Sequence, residues 1–242
     1  MDYLDMLAKL GVGNAHPGGF SETIEQLKQY PIKKGSKVLE VGCGTGRTAC
    51  YLASQGYTVT AIDIREDMIE KAKARAKAEN VKVVFKKGDV TSLPFGSNKF
   101  DVIMVESVTV FTDPAISCSE YFRVLKNKGV LYDREMLVTN KIPENIKKEM
   151  TEFYGFKKMM TVLEWTEQLY ESGFSHVEVW KPTKFNSDMW KKELKFPDEH
   201  QQADEDAYDN TEVFKAVKRY EELMNAYHKY IGYGVMIGKK LL

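Results

Sequence analysis

Between Lys37 and Arg134 the chain alternates short apolar runs with longer stretches in which apolar residues recur every three or four positions. The runs "KVLEVG", "YTVTAID", "VKVVF", "FDVIMV" and "GVLYD" are β-branched and apolar enough to predict five buried strands. Between them, "GRTACYLASQG", "REDMIEKAKARAKAEN" and "AISCSEYFRVL" predict helices; the second sets Met68, Ile69, Ala72 and Ala76 at helical spacing. Strands that alternate with helices imply a parallel sheet covered on both faces.

After Glu135 the rhythm changes. "NKIPENIKKEMTEFYGFKKMM" reads as helical and is rich in aromatic residues and methionine. Thr161 and Glu164 form a capping box before the helix "LEWTEQLYESG", which stops at Gly173, and "SHVEVW" is a sixth strand. Lys181 to Glu199 is irregular, and "PDEHQQADEDAYDN" reads as a solvated or partly disordered acidic loop. Asp209 and Glu212 suggest a second capping box. The helix after it carries one apolar stripe, Val213, Val217, Tyr220, Met224 and Tyr227, and "YIGYGVMIG" is the last strand. The pattern describes a single domain with elaborations. A helix precedes "HPGGF" at the N-terminus, and another is expected from Ser21.

Composition narrows the function classes. The 242 residues are 43% apolar, enough for a sizeable core. Thirty-five basic residues balance 35 acidic ones, and this disfavours a nucleic-acid partner, whose phosphates call for a basic excess. Cys43, Cys50 and Cys118 are odd in number and lack metal-ligand spacing, so neither a disulfide framework nor a metal site is expected. No apolar run could span a bilayer, and the acids in "MDYLDMLAKL" are unlike a signal peptide. A cytoplasmic setting without membrane partners is the expectation.

The chemistry gathers at "VLEVGCGTG", where a strand runs into a helix. Gly42, Gly44 and Gly46 permit a tight turn and close backbone approach to a ligand, and the helix offers free N–H groups. The dinucleotide fingerprint requires a glycine at position 47, where Arg47 stands, which counts against a nucleotide-dependent oxidoreductase. Glu40, two residues before the first glycine, would repel a pyrophosphate but suits a ligand that carries an ammonium and a sulfonium.

In these motifs the chain resembles the class I S-adenosylmethionine-dependent methyltransferases, in particular the small-molecule branch related to quinone-biosynthesis enzymes. Five segments in order carry the resemblance across residues 35 to 135: "VLEVGCGTG", "VTAIDIREDMIEKA", "KGDVTSLPF", "FDVIMVESV" and "VLKNKGVLYDRE". "KNKG" departs from the family's Pro-Gly-Gly turn. The resemblance implies a Rossmann-like α/β fold with a seven-stranded sheet in the order 3-2-1-4-5-7-6, strand 7 antiparallel, and helical cap insertions. It implies S-adenosylmethionine as cofactor and S-adenosylhomocysteine as product. The cofactor would lie against Glu40, the three glycines, Asp63 at the ribose, Asp89 and Val90 at the adenine, and Ile64 and Glu106. Plain structural roles stand beside these: Asp63 as a helix N-cap, Asp89 as turn chemistry, Glu40 as a paired core acid.

In that fold the segments after strands five and six lie on the cofactor side, so residues 136–160 and 182–229 are expected to form a lid around the 35–135 core. Phe153, Tyr154, Phe156, Met159 and Met160 would then face an apolar or aromatic small-molecule substrate or pack the lid on the sheet. Residues 1–34 would cover the methionine end, with Gly18 and Gly19 lying close to the cofactor. His16, Glu106 and Glu135 are the candidate general bases; spacing does not choose among them, and a base is required only for a protonated nucleophile. The rival readings are an RNA or protein methyltransferase and a non-catalytic cofactor-binding protein. A monomer or homodimer is expected.

Overall fold

Seven strands form one sheet in the order β3-β2-β1-β4-β5-β7-β6 in the computed structural model, which describes residues 1–185 and 188–241, with backbone alone at 188–190. The strands are β1 Lys37–Val41, β2 Thr58–Asp63, β3 Val83–Lys87, β4 Phe100–Glu106, β5 Leu125–Val138, β6 His176–Lys184 and β7 Ile231–Lys239. β1 to β5 pair in parallel, and β7 runs antiparallel to β5 and β6. This is the order and direction that the resemblance implied.

The central strands β1 and β4 are almost wholly buried because both faces are covered, whereas the edge strands β3 and β6 are partly exposed. Leu39, Val41, Ile103, Val105 and Leu131 pack on one face, against Cys118 and Tyr121 of α5 (Pro114–Val124) and Trp165 and Leu169 of α7 (Val162–Glu171). Val38, Val59, Val102 and Met104 pack on the other, against Ala49 and Leu52 of α3 (Arg47–Ser54) and Ile69 of α4 (Glu66–Ala78). Each fully buried aliphatic side chain contributes about 1.5–3 kcal/mol relative to exposure. The three cysteines are free and buried, and no helix among the described residues is long and apolar enough to cross a membrane.

Helices α1 (Tyr3–Leu10) and α2 (Gly19–Gln29) precede β1; α2 starts two residues before Ser21, with Gly18 as N-cap. The Thr161–Glu164 capping box is present. Other boundaries differ. α6 spans only Glu144–Tyr154, because Gly155 takes a left-handed C-cap at φ 80°, and β5 begins at Leu125 instead of near Gly129. α8 is Asp188–Glu193. α9 (Thr211–Tyr227) is capped by Asn210, not Asp209: its side chain accepts from the Glu212 and Val213 amides. Of the irregular stretch and the lid within 182–229, residues 186 and 187 lie outside the described residues, as does Leu242.

The acidic segment before α9 is not a free loop. Asp198 receives a bidentate pair from Arg75 at 2.7 and 2.8 Å, and the two side chains are 8% and 1% exposed. Asp204 binds Lys71 at 2.7 Å, and its amide donates to the Lys9 carbonyl. Three of the segment's acids, Asp198, Asp204 and Asp206, find their partners on α1 and α4, far away in sequence, while Glu199, Glu205 and Asp209 stay exposed. Removing one member of a buried pair costs about 3–5 kcal/mol. Arg75→Met should therefore lower stability to urea by about 3 kcal/mol and open residues 197–210 to proteolysis. A variant with wild-type stability and cleavage would show that the segment is not strapped down.

Candidate active site

β1 passes into α3 through Gly42, Gly44 and Gly46, all at positive φ. A side chain at Gly46 would meet Ala72 and Phe85, so this glycine serves helix–strand packing and does not line the cavity. Gly44 faces open space, and its backbone, with those of Gly42 and Cys43, forms one wall of a cavity of about 340 Å³. Asp63, at the end of β2, closes the adjacent side. Its Oδ2 accepts from the Gly44 amide and its Oδ1 from the Arg65 amide, at 2.8 and 2.9 Å. Arg65, not Asp63, is the N-cap of α4.

Ile64 is 62% exposed and lies on the same cavity wall. Asp89 accepts from the Thr91 amide and hydroxyl, so it does perform turn chemistry; it and Val90 also line the cavity. Glu40 and Glu106 complete the lining from β1 and β4. Sequence reasoning missed Thr48, Ser107 and Phe111 on these walls. Thr48 sits at the start of the helix that follows the glycine loop, which was a usable signal. Ser107 had none: its left-handed backbone at φ 62°, right after Glu106, is unusual for a non-glycine residue and emerges only in the fold.

The carboxylates differ in state. Burial, and then the charges of Glu106 and Asp63, push the Glu40 pKa well above the usual range, and its Oε2 is buried without a partner. Burial also raises Asp63, against the Arg65 and Gly44 amides. Burial alone would raise Glu106, but His16, Arg134 and two hydroxyls pull it below the usual range. Those hydroxyls belong to Thr23 and to Thr48, the latter at 2.8 Å; Arg134 Nε is 3.8 Å away.

His16 Nε2 lies 3.6 Å from Glu106 Oε2, and neither ring nitrogen has a hydrogen-bond partner. Burial, only partly opposed by Glu106, lowers its pKa, so the imidazole is neutral at neutral pH. His16 also lines a second cavity of about 910 Å³, which shares Tyr3, Leu7, Val12, Ala15, Ser107 and Phe111 with the first.

Several candidate positions fall elsewhere. Gly18 and Gly19 line the second cavity, not the first, and a side chain at Gly19 would collide with Glu193. The Phe20 and Ser21 amides at the start of α2 donate to Glu193, so α8 supplies the carboxylate that this helix N-terminus attracts. Tyr154 and Phe156 line the second cavity. Met160 is fully buried against the sheet with Trp165, and Met159 packs in the α6–α9 cluster; neither lines either of these two cavities. Glu135 is not a base at the site. It is fully buried, Oε1 accepts the Val108 and Thr109 amides at 2.7 Å each, and it lines neither cavity.

The cavity fits the implied cofactor. Glu40, Asp63 and Glu106 surround it, one carboxylate oxygen is orphaned, and Gly44 leaves room against the backbone. A family profile described as a methyltransferase domain matches residues 38–129. The chain belongs to the class I S-adenosylmethionine-dependent methyltransferases; it is an enzyme of that family, and its cofactor is S-adenosylmethionine. It is 33% identical to the uncharacterized methyltransferase YodH of Bacillus subtilis (strain 168), across 98% of this chain and 99% of that one. It is 38% identical to a demethylmenaquinone methyltransferase of Staphylococcus aureus (strain JH9) over 43% of this chain and 45% of the relative. Among solved structures it is similar to phosphoethanolamine N-methyltransferase 2 of Haemonchus contortus in complex with S-adenosyl-L-methionine. That match has a TM-score of 0.75 and 20% identity, and covers 99% of this chain and 57% of the other.

Glu135 and Asp133 form a buried acidic pair. Burial raises Asp133 to about 7 and, with the Asp133 charge, pushes Glu135 well above its usual range. Both pKa values are raised over their unfolded values near 4, so the pair's contribution to stability is complete below about pH 4 and is lost as pH rises through about 7. Glu135→Gln should remove much of this loss, so its stability relative to wild type should grow between pH 5 and pH 8 in urea titrations. It should bind S-adenosylhomocysteine like the wild type. A pH-independent difference, or loss of that binding, would contradict the assignment.

Proposed function

We propose that the enzyme transfers a methyl group to a small, largely apolar or aromatic molecule held in the larger cavity, with the cofactor in the smaller one. The observation that carries this reading is the shared wall: two cavities, one ringed by carboxylates and one by aromatic residues, meet at His16 and Ser107. Bound S-adenosylmethionine supplies an electrophilic methyl on a sulfonium. Glu40 and Glu106 offer negative charge to its cationic end, Asp63 accepts from the ribose hydroxyls, and Ile64, Asp89 and Val90 hold the adenine. α1 and the segment that carries His16 keep water out of the junction, which a displacement in line with the breaking bond requires.

Neutral His16 is the group placed to take a proton from the acceptor. Glu106 is less suited to that task, since its low pKa and its Thr23 and Thr48 partners hold it ionised and engaged. The names of the relatives span sterol 24-C-methylation and phosphoethanolamine N-methylation, so the acceptor must be read from this chain's own cavity. The net charge of zero argues against an RNA acceptor.

Two variants test the reading. Asp63→Ala should weaken S-adenosylhomocysteine binding by about 2 kcal/mol, roughly thirtyfold, in a calorimetric titration. Unchanged affinity would remove Asp63 from the cofactor site. His16→Ala should slow methyl transfer about 10²–10⁴-fold and leave cofactor affinity nearly unaltered. A parallel fall in both would make His16 a packing residue of the N-terminal cover.

A further inference from the structure

The larger cavity has a charge inventory that methyl transfer by itself does not require. Six aromatic residues line it, Tyr3, Phe111, Tyr154, Phe156, Phe185 and Tyr220, together with aliphatic and methionine side chains. Tyr154 stacks on Phe156 with centroids 4.9 Å apart and meets Tyr3 edge-on at the same distance. Among the described residues, no lysine or arginine lines this cavity.

The arginines near its walls donate to the protein through one nitrogen each and do not line the cavity, although Arg47 Nη1 and Arg134 Nε are left without a hydrogen-bond partner. Arg47 donates to the Phe196 and Pro197 carbonyls, Arg134 to the Glu22 carbonyl and the Gln26 side chain, and Arg219 to Glu149. Of the two acids that line it, Glu193 is engaged and Glu221 is exposed. Glu193 is bound by Asn14 and the first amides of α2, with Arg47 Nη1 3.6 Å away, and Glu221 and His228 stand at exposed positions on the rim. Among the described residues that line this cavity, the buried polar side-chain atoms left without a partner are the two ring nitrogens of His16 and the hydroxyl of Tyr154, a residue 3% exposed.

Resting on the reading that this cavity holds the methyl acceptor, we infer that it selects a ring-bearing acceptor without anionic groups, with a hydroxyl or carbonyl that Tyr154 Oη hydrogen-bonds, and that it refuses molecules carrying phosphate or carboxylate. The aromatic and apolar lining rewards flat apolar surface, and the acceptor's oxygen satisfies a hydroxyl that is otherwise buried and unpaired. A phosphate would lose its water and find no charge-assisted donor in return.

The test uses the full chain saturated with S-adenosylhomocysteine, titrated in a calorimeter with 2-naphthol, 2-naphthyl phosphate and naphthalene. 2-Naphthol should bind at least about 100-fold more tightly than its phosphate, given the cost of desolvating an unpaired anion. Tyr154→Phe should weaken 2-naphthol about 5- to 10-fold, the worth of one hydrogen bond, without changing naphthalene or S-adenosylhomocysteine affinity. Phosphate binding as tight as 2-naphthol would overturn the charge selection and leave the methyltransferase reading intact. A Tyr154→Phe variant that binds all probes like the wild type would overturn the role of the hydroxyl. If that variant does not fold, as judged by lost S-adenosylhomocysteine binding, the wild-type ratio of 2-naphthol to its phosphate decides. Failure of all three probes to bind the cofactor-loaded protein would overturn both this inference and the placement of the acceptor.

Discussion

One buried carboxylate joins the pieces that make the site. Glu106 ends β4 and draws together four other segments: Thr23 of α2, Thr48 of α3, Arg134 of β5 and His16 of the N-terminal cover. Burying an ion without compensation costs several kcal/mol, so this charge is tolerable only when those partners are in place. The N-terminal cover and the sheet are thereby coupled. Lifting the cover would strip Glu106 of its Thr23 and His16 neighbours and leave Arg134 and Thr48 to hold the charge.

Along the carboxyl edge of the sheet, chemically equivalent acids are sorted by their surroundings. Glu106 has cationic and hydroxyl partners and stays ionised. Glu40, a strand away, has an orphaned oxygen and two neighbouring acids, so its charged form is disfavoured until a cation arrives. That imbalance is what a sulfonium and an ammonium would relieve. Glu135 shares the edge but not the cavity: its partners are backbone amides and Asp133, and its work is to hold the turn after β4.

The second insertion contributes from the opposite side. Arg75 of α4 grips Asp198 and donates to the Thr45 carbonyl within the glycine loop, so one guanidinium ties the strap to the backbone that forms the cavity wall. Glu193, farther back in the same insertion, holds Asn14 and the start of α2. Loop, strap and cover are therefore braced against each other by charges from distant parts of the chain.

The sequence by itself determined the sheet, its order by way of the family resemblance, and the gathering of Glu40, Gly44, Asp63, Asp89 and Glu106 around one cavity. These were legible because their cause is local: apolar runs make strands, and residues just past the ends of parallel strands share one edge. Only the tertiary structure decided which way the remaining candidates face. Gly18 and Gly19 turn to the larger cavity because Glu193, over 170 positions away in sequence, occupies the end of α2. Met160 faces the sheet and not the larger cavity, Glu135 turns beneath the edge, and the acidic segment 197–210 is strapped down by Arg75 and Lys71. Periodicity reports that a residue is apolar or charged and which local face it shares. Which distant group meets that face, and so whether an acid is a base, a strut or a ligand for a cation, is set by packing between elements that no local pattern records.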